Sequence, residues 1–350
     1  MVLYRKYRPQ KLEELDSIEI RTRLAKVISS SYLPHAFLFA GPKGTGKTSA
    51  ARIMAKVLNC VRRGKNTEPC NSCETCDSIR DGRNLDVLEI DAASNRGIEE
   101  IRDLRDKIRL APLSCKYKVY IIDEVHMLTN EAFNALLKTL EEPPSHAVFI
   151  LATTEMEKLP ETILSRCIKF NFHKATILEI KNSLSRVVAG EKLKIDRAVL
   201  DKIGEFADGS FRDATKLLEQ AVSEDATTID KFLSFHGRDT ISPDKLLSLI
   251  ISKKTQESLE AVENLVSVSA DFKIYTTEIL KLLHDLLLKY HGISTSEVPE
   301  ELFKSVNLEI INSLIKLFSK VYVELKNSPQ PELPLEVAIV EWCESKGGGS

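Results

Sequence analysis

The stretch GPKGTGKT, Gly41 to Thr48, places a lysine and a hydroxyl residue at the end of a glycine-rich run, in the full G-x-x-x-x-G-K-[ST] spacing. Glycines let a backbone curl so that successive N–H groups point inward at phosphate oxygens, and a helix starting there adds the positive end of its dipole. Gly41, Pro42, Lys43, Gly44, Thr45 and Gly46 would form the phosphate cradle of a nucleotide site. Lys47 would bridge the β- and γ-phosphates, and the Thr48 hydroxyl would ligate Mg2+. The bland alternative is a chance glycine turn with an exposed lysine. Against it, AFLFA precedes the motif and the helical pattern TSAARIMAKVLN follows, which is the strand–loop–helix context the motif requires. A second stretch, VYIIDEVH at 119–126, is an apolar run ending in adjacent carboxylates. Asp123 is suited to hold Mg2+, directly or through water, and Glu124 to polarise an attacking water. Such a pair is often only a helix cap; a phosphate loop upstream makes catalysis the stronger reading. For His126 a structural role is at least as good a reading as a third polar contact.

A third pattern has metal-ligand spacing: Cys60, Cys70, Cys73 and Cys76, with CNSCETC at 70–76. The chain carries seven cysteines, an odd set. MVLYRKYRPQ lacks the apolar core of a secretion signal, so a disulfide framework is disfavoured and a cytoplasmic location is expected. Four clustered thiols favour structural Zn2+ in a closed tetrahedral shell without an open position for catalysis. Iron–sulfur ligation is the main competitor, but the cysteine-proline signature is missing. A redox pair would leave two of these thiols without a role. Cys115, Cys167 and Cys343 read as ordinary packed thiols.

The elements that must position these groups follow from periodicity. Residues 36–41, 85–92, 118–125, 147–154 and 167–172 are short runs rich in Val, Ile, Leu and Phe, as expected of strands buried on both faces. Helical patterns lie between them, notably at 97–110 and 130–142, which argues for a mainly parallel sheet covered by helices. After residue 173 only helical patterns remain, and from about 229 onward the chain again reads as all-helical, with turn signals at ISPD, HGIS and NSPQPELP. Three domains are expected: an α/β nucleotide-binding domain at 1–173 with the cysteine insertion at 60–76, a small helical domain at 174–223, and a helical C-terminal domain at 229–345. The tail at 346–350, ending in GGGS, is linker-like and set aside. A formal net charge of −2 gives no global attraction to nucleic acid, so any such binding rests on local basic patches. No apolar run is long enough for a membrane helix, and no membrane partner is expected.

In order and spacing, YRKYRP (4–9), GPKGTGKTSAARIMAKVLNC (41–60), IDAASNRGIEEIRDLRD (90–106), IIDEVHMLTNEAFNALLKTLEEPP (121–144), LATTEMEKLPETILSRC (151–167) and GSFRDATKLLEQA (209–221) resemble the AAA+ ATPases. More narrowly, they are similar to the gamma/tau clamp-loader subunits of bacterial DNA polymerase III. The resemblance covers residues 1 to about 222; the C-terminal third fits the family's helical collar by position and helicity alone. It implies an α/β P-loop AAA+ module, a small helical lid and an all-helical collar. It further implies a motor subunit that binds and hydrolyses ATP with Mg2+ to open a sliding clamp and load it on primed-template DNA during replication. Its partners would be other clamp-loader subunits within a pentameric assembly, and it would have no polymerase chemistry of its own. The four-cysteine insertion after the phosphate-loop helix is also a feature of that family.

The resemblance also assigns residues. Thr154 is the expected sensor 1 toward the γ-phosphate or its water, with Thr153 as the one-residue-slip alternative. Arg212 looks like sensor 2, reaching the nucleotide from the lid, where an anion would explain an arginine at a helix start. Arg166 in LSRC resembles the arginine finger that acts in trans on a neighbour's ATP; the competing reading is an internal salt bridge. Tyr4, Arg8 and Pro9 are expected to wall the adenine pocket, where Ser17 and Ile18 depart from the family's Gly-Gln pair. Arg102 and Lys138 fall where family members meet the DNA backbone, and Asn95 and Arg96 are near enough to join them, against the default of a solvated charged face. Two other readings stay open: a non-hydrolysing structural subunit of the same assembly, or another AAA+ DNA-remodelling ATPase such as a branch-migration helicase.

Overall fold

The computed structural model describes residues 2–30, 32–63, 67–94, 108, 110–229, 231–232, 241–267, 270–293, 298–326 and 328–344. The chain divides into two compact units, 1–231 and 232–350. The expected ATP-binding and lid segments lie together in the first.

Among the described residues, unit 1 is built on five strands: β1 (Ala36–Ala40), β2 (Val87–Asp91), β3 (Lys118–Asp123), β4 (Ala147–Thr153) and β5 (Ile168–Asn171). They pair in the order β2-β3-β4-β1-β5, and every pairing is parallel. Each falls inside one of the five apolar runs. The central strands are buried on both sides, because alternate residues feed two separate cores. Phe37, Phe39, Val119, Ile121, Val148 and Ile150 face the helix α1 (Lys47–Asn59), whose Ala50, Ile53, Met54 and Val57 complete that layer. Leu38, Tyr120, Ile122, Phe149 and Leu151 face α2 (Asn130–Glu141) with its Phe133, Leu136 and Leu140. Thr129 caps α2, accepting the N–H of Ala132 at 3.3 Å. Of the expected helix at 97–110, residues 97–107 and 109 lie outside the described residues.

This topology decides where the site falls. β1 and β3 are separated by β4, and register pairs Ala40 with Thr153 and Asp91 with Asp123. The C-terminal ends of β1, β3 and β4 therefore open on one edge, the crevice where ligands bind in parallel α/β sheets. Beyond β5 come α3 (Ile177–Glu191), α4 (Arg197–Phe206) and α5 (Phe211–Ser223). A full capping box starts α3: Thr176 accepts the N–H of Glu179, whose carboxylate accepts the N–H of Thr176.

Among the described residues of unit 2, every regular element is a helix. The helices Pro243–Ile251, Thr255–Ser267, Phe272–Tyr290, Leu308–Glu324 and Leu333–Glu344 share a core that includes Ile250, Val262, Ile279, Leu283, Ile311, Phe318 and Ile339. Asp271 caps the longest of these, accepting the N–H groups of Lys273 and Ile274. Among the described residues, no helix is long and apolar enough to cross a membrane.

Candidate nucleotide site and cysteine cluster

The phosphate loop leaves β1 at Gly41 and returns as α1 at Lys47. Gly41 donates its N–H to the Thr153 carbonyl at 3.1 Å, anchoring the loop to the end of β4. Gly44 has φ +80°, and a β-carbon there would stand 1.9 Å from Ser210 Oγ, so only glycine fits. The Gly44 carbonyl accepts the N–H of Phe211 at 3.0 Å, so the loop rests on the start of α5. Lys47 is buried, and Nζ donates to the carbonyls of Gly41 at 2.7 Å and Pro42 at 2.8 Å. Burial pushes its pKa below the ordinary lysine value, while the charges of Glu124 and Asp123 partly oppose that shift.

Thr48 Oγ1 donates to Asp123 Oδ2 at 2.7 Å, so the two groups read from sequence as Mg2+ ligands meet across the crevice. A hydroxyl and a carboxylate are oxygen donors suited to that hard cation. Glu124 holds a left-handed backbone, φ 47° and ψ 45°, which turns the chain sharply after β3. Its carboxylate accepts from Thr154 Oγ1 at 3.0 Å and lies 3.5 Å from His126 Nδ1. Thr153, one position earlier, points the other way: it is fully buried, and its Oγ1 meets His126 Nδ1 and the Glu155 N–H, each at 3.0 Å. His126 Nε2 reaches Glu155 Oε1 at 3.2 Å. The imidazole thus braces the loop that carries Glu124, a part that sequence reasoning left open.

Tyr4, Arg8, Pro9 and Ser17 line one cleft together with Lys43 to Thr48, Asp123, Glu124 and Arg212. Ile18, by contrast, is 65% exposed. The Arg212 guanidinium lies 5.0 Å from the centre of the Tyr4 ring, bringing the start of α5 over the N-terminal segment. Arg8 is pushed below the ordinary arginine value, first by burial and then by Arg52, with Arg212 and Arg5 adding to the effect. Arg8, Lys43, Lys47 and Arg212 line the cleft, and such positive charge suits an anionic ligand.

Sequence reasoning missed how the lid is held. Arg186 of α3 donates to both carboxylate oxygens of Asp16, at 2.7 and 2.6 Å, and Lys6 donates to Glu191 at 2.5 Å. Tyr7 packs over Gly190, where an added β-carbon would meet the phenol oxygen at 2.3 Å. Arg186 and Asp16 lie 170 positions apart, so no local pattern pointed to the pair.

Arg166 stands apart from this cleft. Nη2 donates to Glu141 Oε1 at 2.6 Å and Nη1 to the Thr162 carbonyl at 2.8 Å, with the side chain 33% exposed. Lys138 is exposed on α2. Asn95, Arg96 and Arg102 lie outside the described residues.

The sulfurs of Cys60, Cys70, Cys73 and Cys76 all lie within 4.8 Å of one another. A tetrahedral zinc–thiolate site, with Zn–S about 2.3 Å, has sulfur–sulfur edges of about 3.8 Å. The donor set fits that ion with little movement. Cys73 and Cys76 are buried, and Cys60 and Cys70 half-buried. The Cys70 N–H approaches Cys60 Sγ at 3.3 Å and the Cys76 N–H approaches Cys73 Sγ at 3.5 Å, as backbone donors do around thiolates. Cys73 also caps the short helix Glu74–Arg80.

A parallel sheet with this strand order, a phosphate loop after its first strand, paired carboxylates after its third and a three-helix lid define an AAA+ ATPase fold. Among solved structures, Thermotoga maritima RuvB, described as a Holliday junction branch migration motor, matches with a TM-score of 0.51 at 19% identity, over 70% of this chain and 79% of that one. That likeness is one of fold. The family described as DNA polymerase III, delta subunit matches residues 18–176, and the one described as DNA polymerase III clamp loader subunit, ATPase lid domain matches residues 179–224. Subunit gamma of Buchnera aphidicola subsp. Acyrthosiphon pisum is 34% identical over 97% of both chains. Subunit tau of Bacillus subtilis is 40% identical over 98% of this chain, and that of Escherichia coli 38% over 82%. The chain belongs to the gamma/tau subunit family of DNA polymerase III. It spans 63% of the Bacillus subtilis relative's length and 45% of the Escherichia coli relative's.

Proposed function

We propose that the chain is a hydrolysing motor subunit of a clamp loader, which uses ATP to open a sliding clamp and place it on primed-template DNA. The observation that carries this reading is the convergence of Lys47, Thr48, Asp123, Glu124 and Thr154 at one sheet edge, with Glu124 held at 3.0 Å by Thr154. A subunit that merely bound nucleotide would have no need of an oriented carboxylate there.

In this mechanism Lys47 exchanges the carbonyls of Gly41 and Pro42 for β- and γ-phosphate oxygens. Thr48 and Asp123 would hold Mg2+, which would neutralise charge on the phosphates. Glu124 accepts a proton from the attacking water, and Thr154 fixes the carboxylate that does so. Arg212, released from Tyr4, reaches the phosphates from the lid. Tyr4, Arg8 and Pro9 wall the base, with Ser17 beside them. Arg166 acts on the ATP of an adjacent subunit. The cysteine cluster holds Zn2+ as a structural clip. Asn95, Arg96, Arg102 and Lys138 meet the DNA backbone, reading duplex shape rather than sequence and weakening with salt. The helices of unit 2 supply oligomer contacts in the cytoplasmic assembly.

ATP turnover of the full chain, measured with and without partner subunits, clamp and primed DNA, tests this reading. Turnover is expected to be low alone and to rise when all three are present. A rate indifferent to each of them overturns the clamp-loader assignment.

The two threonines separate by substitution. Thr154→Val lowers turnover by about tenfold or more with folding intact, since it removes a donor to the catalytic carboxylate. Thr153→Val instead lowers the melting temperature, because it strips buried partners from His126 and the Glu155 N–H. The reverse pattern would return sensor 1 to Thr153.

A further inference from the structure

The cysteine insertion does more than pack against its own helix: it holds the N-terminal segment that walls the nucleotide cleft. Glu68, two residues before Cys70, accepts the backbone N–H of Leu12 at 2.8 Å and of Glu13 at 3.0 Å, one on each carboxylate oxygen. These amides open the short 3-10 turn Leu12–Glu14, whose first N–H groups have no partner inside the turn. Asn71 lies between Cys70 and Cys73 with φ 53°. It donates from Nδ2 to the Gln10 carbonyl at 3.2 Å and accepts Lys56 Nζ on Oδ1 at 2.8 Å. Lys56 comes from α1, the helix that begins at the phosphate loop, and it is 1% exposed. The same ammonium donates to the Gln10 carbonyl and to Gln10 Oε1, each at 2.8 Å. Gln10 in turn donates from Nε2 to the Arg8 carbonyl at 2.9 Å.

The line of bonds runs from the cysteine loop through Asn71, Lys56 and Gln10 to Arg8, which with Pro9 lines the cleft. A buried ammonium is tolerated only with its donors satisfied, so Lys56 fixes Gln10 and Asn71 relative to α1 at the same time. Burial pushes its pKa down to about 8, which marks how fully the group is withdrawn from water. Loss of the ordered cysteine loop removes the Glu68 and Asn71 contacts together and leaves Lys56 short of an acceptor.

We infer that Glu68, Asn71 and Lys56 are positioning residues for the Arg8–Pro9 wall, so that an ordered four-cysteine loop is required for full nucleotide affinity. The inference rests on the reading of the cleft as an ATP site. By linkage, metal in the cysteine cluster and nucleotide in the cleft then strengthen each other's binding.

The test uses the full chain, a fluorescent ATP analogue and zinc content by atomic absorption. Asn71→Gly keeps the left-handed backbone and all four cysteines while removing the side-chain bonds. Glu68→Ala removes the acceptors for Leu12 and Glu13. Each variant is expected to retain wild-type zinc content and fold while its Kd for the analogue rises at least about fivefold. Stripping zinc with a chelator should weaken binding to the wild type by a comparable factor and to Asn71→Gly by less. Wild-type affinity in both variants overturns the proposal while leaving the nucleotide reading in place. A wild-type chain that binds the analogue no better than Lys47→Ala overturns the nucleotide reading itself.

Discussion

Replacing Glu124 by Gln lowers steady-state ATP hydrolysis by about 10²–10⁴-fold while leaving ATP affinity within about threefold of wild type. The side chains have the same shape, and Gln retains an oxygen to accept from Thr154, whose Oγ1 now lies 3.0 Å from Glu124 Oε2. What is lost is the ability to take a proton from water, a contribution made only on the way to the transition state. In the proposed mechanism Lys47 and Thr48, rather than Glu124, face the phosphates, so binding is spared. The measurement is steady-state hydrolysis beside equilibrium binding of the same nucleotide. Unchanged hydrolysis in Glu124→Gln would transfer catalysis to another group, whereas a wild-type chain with no turnover to lose would favour a subunit that binds ATP structurally. Parallel loss of binding and turnover would instead show that the sharp turn at Glu124, with φ 47°, had been disturbed.

Arg166→Ala should have the larger effect in the assembled complex and none in the isolated chain. An arginine acting across a subunit boundary contributes about 10³–10⁵ to turnover in related phosphoryl transfers. In the free chain Arg166 is paired with Glu141 at 2.6 Å, so a purely internal role has a definite structural form. The two roles separate through the partner. Glu141 is 48% exposed, and an exposed pair of this kind contributes only about 0.2–1 kcal/mol, little enough to be exchanged for a phosphate. Glu141→Ala should therefore leave the complex's ATPase intact or raise it, whereas a structural salt bridge predicts the same damage from either substitution. ATPase of reconstituted complexes carrying each variant decides between them.

The match between apolar runs and strands was close because a strand buried on both faces has few residue types open to it. Residues 36–41 and 118–125 could hardly fold otherwise once Gly41 and Asp123 ended them, and the strands do close at Ala40 and Asp123. The phosphate loop was legible for a related reason: its conformation demands glycine at Gly44, where any side chain would strike Ser210. The cysteine spacing was equally local. Lys56 left a faint signal as a lone lysine among Ile53, Met54, Val57 and Leu58, but nothing nearby in sequence named its acceptors Gln10 and Asn71.

The sequence by itself therefore determined the parallel α/β module, the helical segments after it, the phosphate loop, the paired carboxylates and a four-thiol cluster, since each is written in residues within a few positions of one another. Tertiary structure decided what those groups face. It set Thr154 rather than Thr153 against Glu124, paired Arg166 with Glu141, laid Arg212 over Tyr4 and joined Asp16 to Arg186. It also tied the cysteine loop to the cleft wall through Lys56. The reason is physical: backbone conformation and burial follow from neighbours along the chain, whereas a charge or hydroxyl takes whatever partner the fold brings within about 3 Å, from any distance in sequence.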